Sequence, residues 1–267
     1  MGLPPLISRR SLFWYLTSDL SLIQIAKNMS QLILIRHAQA SFMKADYDQL
    51  SPLGEQQSVI LGEYLADKAQ VFDKIYIGPL KRHWQTAARV KTVFEQRGLP
   101  WPTPIQLDTL DEHKGMEVMA ALLPTLSKEQ PQLKKWAALA ETQPESARKY
   151  HLLMFNYTMR LWARGEIDAQ HMGLKPWAHF RAQVKAGMEQ ILAENGSGVK
   201  VAAFTSGGTM SAAVAYALQM KTEEKVMELN GIVQNTAMST FLFSKDRLTL
   251  KSFNELPHLE DKLVTFV

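Results

Sequence analysis

Leu32-Ile33-Leu34-Ile35 is an unbroken aliphatic run that ends directly on Arg36 and His37. A run of that kind is the pattern of a parallel strand covered on both faces, so it predicts the buried centre of an α/β sheet. In open sheets of this class the reactive groups sit just beyond the carboxyl ends of the strands, which is where Arg36 and His37 fall. Arginine presents a fixed fork of donors matched to phosphate oxygens, and an adjacent imidazole can act as a nucleophile. The pair therefore reads as a candidate phosphoryl-transfer site.

Downstream, strands alternate with helices. Helical spacing over Gly54 to Lys68 follows the start signal Ser51-Pro52; Lys74 to Ile77 is a short strand and Arg82 to Arg97 a helix stopped by Gly98 and Pro100. Val199 to Phe204 is the next strand, and Thr209 to Met220 an alanine-rich helix behind Gly207 and Gly208. Met238 to Ser244 and Leu248 to Phe253 flank Lys245-Asp246-Arg247 as an edge hairpin. The alternation predicts a doubly wound, mostly parallel sheet flanked by helices. Residues 115–193 break the rhythm, with helical spacing throughout, many aromatic residues and no strand pattern. They are expected to form a helical insertion over the active-site edge.

Composition bounds the partners. With 267 residues, 46% of them hydrophobic, the chain can bury one large core. Its net charge of +4 is not gathered into a basic stripe, which argues against nucleic acid, and no apolar run is long enough to span a membrane. The absence of cysteine excludes disulfides and thiol catalysis. Residues 1–28 look foreign to the domain that follows, and they are expected to lie outside a fold comprising residues 29–267. Ser8-Arg9-Arg10-Ser11-Leu12-Phe13 is similar to an export signal, but Thr17, Ser18 and Asp19 interrupt the apolar stretch behind it. The expected location is the cytoplasm.

Five ordered segments carry a resemblance. They are Arg36-His37-Ala38 with Leu50-Ser51-Pro52-Leu53-Gly54-Glu55; Ile75 to Ala87 around Arg82; Leu110-Asp111-Glu112; Phe204-Thr205-Ser206-Gly207-Gly208-Thr209; and the tail from Asn235-Thr236 to Leu259. Together they resemble the histidine phosphatase superfamily, also called phosphoglycerate mutase-like. The resemblance implies a phosphomonoesterase that hydrolyses a phosphorylated small molecule through a phosphohistidine. His37 would be the nucleophile and Glu112 the proton donor and acceptor, with Arg36, Ser41, Arg82, Ser206 and the Gly207 amide binding phosphate. It implies no cofactor and no metal, the two guanidinium groups supplying the positive charge. Oligomeric state is left open.

Two positions depart from the family pattern. Ala38 stands where a glycine is usual. Ser206 stands where most relatives have a second histidine, and a hydroxyl carries no charge. Removing one well-placed donor from a dry pocket costs about two to three decades in rate. The alternatives are therefore a catalytically weakened or inactive phosphate-ligand binding protein and, more weakly supported, a mutase that passes phosphate between hydroxyls. His113, next to Glu112, is a further candidate for the missing imidazole. His83 and the remaining histidines show no metal-ligand spacing and are expected to be structural or exposed.

Overall fold

The computed structural model describes residues 29–41 and 48–266, so the segment 1–28 lies outside the described residues, as do residues 42–47. Six strands form one sheet in the order β3-β2-β4-β1-β5-β6: β1 (Ser30–Arg36), β2 (Lys74–Ile77), β3 (Ile105–Gln106), β4 (Lys200–Thr205), β5 (Met238–Ser244) and β6 (Arg247–Glu255). β1, β4, β2 and β3 run parallel, and the β5–β6 hairpin adds antiparallel to β1 at the edge.

Side chains alternate across a strand, so β1 feeds two cores. Leu32 and Leu34 join one cluster with Val201, Ala203 and Phe241. Ile33 and Ile35 join the other with Ile75, Ile77 and Phe204. On the second face lie α1 (Pro52–Asp67) and α2 (Lys81–Gln96), through Leu61, Leu65, Val90 and Phe94. α1 starts where its sequence says it should: Ser51 Oγ accepts from the Gly54 amide at 3.0 Å and Pro52 occupies the first turn.

The expected insertion is helical: α3 (Gly115–Glu129), α4 (Pro131–Thr142), α5 (Ala147–Ala163) and α6 (Trp177–Glu194), with short 3₁₀ turns at Pro144–Ser146 and Gln170–Met172. α6 buries Val184, Met188 and Ile191 in the same cluster as Leu32 and Leu34, and so serves as a covering layer of the sheet. Two more helices follow β4: α7 (Gly207–Ala217), which begins two residues before the expected Thr209, and α8 (Glu223–Ile232), which the sequence pattern did not reveal. β3 was missed as well, because its two residues are both exposed and carry no alternation. Among the described residues no helix is long and apolar enough to cross a membrane.

Register brings the chemistry to one edge. Arg36 lies opposite Thr205 and Ile77 opposite Phe204, so β1, β4 and β2 end together and release Arg36-His37, Ser206-Gly207 and the Gly78 turn side by side. The aliphatic run of β1 holds that edge in place. Leu34→Ala, at a fully buried position, is expected to cost about 2–5 kcal/mol in urea unfolding, whereas Leu218→Ala, on the exposed side of the α7 terminus, should cost under about 0.5 kcal/mol. Equal losses at the two sites would contradict this placement of the core.

Candidate active site

Strand alternation separates the first two functional side chains. Arg36 continues the face of Leu32 and Leu34, and its Nη1 donates to the Val233 carbonyl beyond α8. His37 continues the face of Ile33 and Ile35, towards α2. Its Nδ1 lies 2.7 Å from the Ala38 carbonyl, which fixes the ring proton there and leaves a lone pair on Nε2. His37 is 4% exposed. Burial, then the charges of Arg82, Arg36 and His83, hold its pKa well below the ordinary histidine value, so His37 is neutral at neutral pH.

Arg82 receives that lone pair. Its Nε donates to His37 Nε2 at 3.1 Å, its Nη1 to Asp48 Oδ1 at 2.8 Å, and its Nη2 lies 3.5 Å from Ser206 Oγ. Asp48 also accepts from the Lys81 amide at 2.9 Å, so one carboxylate pairs the buried cation and holds the first turn of its helix. Thr86, one turn along α2, accepts from the Ala38 amide at 3.0 Å. Ala38 does not adopt positive φ, which is why its methyl group is accommodated where a glycine is usual.

The acidic residue arrives from a third direction. Glu112 Oε2 accepts from the Gly208 amide at 3.0 Å, at the end of α7 that also carries Ser206 and Gly207. A Cβ on Gly208 would come within 2.1 Å of Glu112 Oε1, so glycine is required for this approach. Arg36 lies over Gly207, whose Cβ would meet its Nε at 3.4 Å. The structure thus joins His37, Arg82 and Ser206 directly, and gathers Arg36, Gly207 and Glu112 around the start of α7. Ser41 points elsewhere: its hydroxyl donates to the Leu50 carbonyl at 3.2 Å.

His113 lies beside Glu112, its Nε2 3.6 Å from Glu112 Oε1. Its Nδ1 accepts from the Gly115 amide and its ring packs on Trp162, Trp177 and Phe180. The imidazole on Ser206 is His83, with Nε2 2.7 Å from the serine Oγ. Sequence reasoning gave no site role to His83 or Asp48. A signal for His83 existed, since it falls with Ala87, Val90 and Phe94 on the buried stripe of α2.

A family model described as histidine phosphatase superfamily (branch 1) matches residues 32–153 and 128–256. No curated protein matches the sequence. Among solved structures, a phosphoglycerate mutase from Bacillus anthracis str. Sterne is 20% identical with a TM-score of 0.58, covering 88% of this chain and 97% of the other. Phosphoserine phosphatase from Entamoeba histolytica, in complex with 3-phosphoglyceric acid, is 18% identical with a TM-score of 0.56, covering 87% and 100%. A mycobacterial glucosyl-3-phosphoglycerate phosphatase is 18% identical with a TM-score of 0.52, covering 84% and 98%. At these identities the likeness establishes a shared fold.

The buried histidines make stability depend on pH. Burial lowers His37 and His83 well below 6.5 and His258 to about 4, so the unfolded chain binds protons that the native state refuses. Stability is expected to fall as pH drops below about 6.5 and onward towards each folded-state value, with a slope of about 1.4 kcal/mol per pH unit for each such histidine. Urea midpoints measured between neutral pH and about pH 5 test this. An unchanged midpoint would contradict neutral, buried imidazoles.

Proposed function

The chain belongs to the histidine phosphatase superfamily, and on that premise we propose that it is a phosphomonoesterase that hydrolyses a phosphorylated small molecule through a phosphohistidine at His37. The observation that carries this reading is the state of His37. It is neutral, with its Nδ1 proton directed to the Ala38 carbonyl and its Nε2 lone pair held by Arg82, the cation a phosphoryl group would engage.

In this reading, phosphoryl oxygens take the guanidinium donors of Arg36 and Arg82. Arg82 Nε then leaves His37 Nε2, and the freed lone pair attacks phosphorus. The bond from phosphorus to the leaving oxygen breaks as the new nitrogen–phosphorus bond forms, and Glu112 supplies the proton that the leaving oxygen requires. The same carboxylate then takes a proton from the water that attacks phosphohistidine, releasing phosphate and restoring His37. The two guanidinium groups balance the negative charge that spreads over the phosphoryl oxygens in both transfers. The Gly207 amide and the hydroxyls of Ser206 and Ser41 complete the proposed cradle, Ser41 only after its hydroxyl leaves Leu50. A small substrate fits the ligand in the similar phosphoserine phosphatase structure, 3-phosphoglyceric acid. The nucleophile favours turnover over mere phosphate binding, since a binder gains nothing from it.

A panel of phosphorylated metabolites assayed for phosphate release tests the activity. His37→Ala is expected to lower the rate by several decades. Under single-turnover conditions, with an acid-free quench, mass spectrometry should place phosphate on the peptide containing residue 37. Equal rates for wild type and variant would remove His37 as the nucleophile.

A further inference from the structure

Ser206 is the N-cap residue of α7, a position where serine ordinarily turns its hydroxyl onto the first helical amides; here it makes no such bond. The hydroxyl is directed instead to His83 Nε2 at 2.7 Å, with Arg82 Nη2 at 3.5 Å. Ser206 and His83 are both 0% exposed, and the His83 ring centroid lies 5.7 Å from that of His37. A buried hydroxyl thus connects the arginine of the phosphate clamp to an imidazole that the proposed reaction leaves unused.

Resting on the phosphatase reading above, we propose that His83 is a positioning residue that acts through Ser206. Arrival of a phosphoryl dianion at Arg82 draws one proton from solvent onto the His83 ring. The ring's Nε2–H then donates to Ser206 Oγ, and the serine's own proton donates to a phosphoryl oxygen.

The geometry supplies each link. His83 Nδ1 makes no hydrogen bond, and it faces the Gly78 backbone so closely that a Cβ on Gly78 would lie 2.5 Å from it; this backbone favours the protonated ring. The charged ring therefore has the Gly78 backbone behind it and Ser206 in front. The groups that face it are Arg82 on its own helix, His37 from the end of β1, Ser206 from the β4–α7 junction and Gly78 from the end of β2, with Lys114 a further cation. Burial, the larger cause, and these positive charges keep the ring neutral; in the proposal, two negative charges placed against Arg82 offset them. The shift of Arg82 that frees His37 Nε2 also withdraws its Nη2 from Ser206. One movement thereby prepares both the nucleophile and the donor.

Sulfate keeps both charges throughout the range in which histidines titrate, so its binding reports protons taken up by the protein alone. Calorimetric titration of the full chain with sulfate, in buffers of different ionisation enthalpy, counts them. His83→Gln retains an amide that can donate to Ser206 but cannot titrate. It is expected to take up about one proton fewer per sulfate than wild type, and Ser206→Ala to match it. His83 also acts on His37, but Ser206→Ala keeps the His83 ring beside it, so a loss shared by both variants isolates the proton that His83 takes through Ser206. If His83→Gln does not fold, Ser206→Ala alone carries the comparison. Equal uptake in wild type and the folded variants would overturn the proposal, and so would failure of the wild type to bind sulfate. His37-dependent phosphate release without this proton removes the proposal and spares the phosphatase reading. A His83-dependent proton in a protein that hydrolyses no phosphomonoester does the reverse.

Discussion

The Arg82 guanidinium is the junction on which the site depends. It is 7% exposed, and a buried cation is tolerated only when it is paired and hydrogen-bonded. Asp48 supplies the charge, His37 Nε2 accepts from Nε, and Ser206 lies against Nη2. These partners come from the loop before α1, the end of β1 and the start of α7. One side chain therefore ties together chain segments that the register of β1, β4 and β2 has already brought level. Removing it would take this ion-pair partner from Asp48 as well as weaken the proposed phosphate clamp.

The same cation tunes its neighbours. Two arginines and a second imidazole around a buried ring make protonation of His37 unfavourable, and the Ala38 carbonyl decides which nitrogen keeps the remaining proton. Neutrality and tautomer are both needed of a histidine that attacks through Nε2. On the other side of the edge, Glu112 is held by a backbone amide at the end of α7, where the helix dipole favours a carboxylate. The proposed nucleophile and acid are thus fixed by different elements and meet at the sheet edge.

Much of this was legible in the sequence where chemistry and periodicity coincide. The β1 run, the strands at 74–77 and 238–244, and the pairing of Arg36-His37 with Arg82 follow from aliphatic pattern and motif order. β3 and α8 were not legible, the first because two exposed residues show no pattern, the second because its buried residues are few. Nearness to Glu112 along the chain makes His113 a candidate for the missing imidazole, and its ring lies beside Glu112. The imidazole bonded to Ser206 is His83, brought inward by the helical period of α2. Ser41 turns its hydroxyl to the Leu50 carbonyl, an orientation that no sequence pattern signals. Helical spacing over 115–193 identified helices but not what they cover, because packing partners such as those of α6 are decided by tertiary structure.

The central claim is that Arg82 surrenders the His37 lone pair when an oxyanion arrives. A crystal structure of the protein with bound tungstate tests it directly. The account expects the anion between the guanidinium groups of Arg36 and Arg82, its metal facing His37 Nε2, and Arg82 Nε no longer bonded to that nitrogen. Tungstate bound elsewhere, with Arg82 Nε still donating to His37 Nε2, would contradict it.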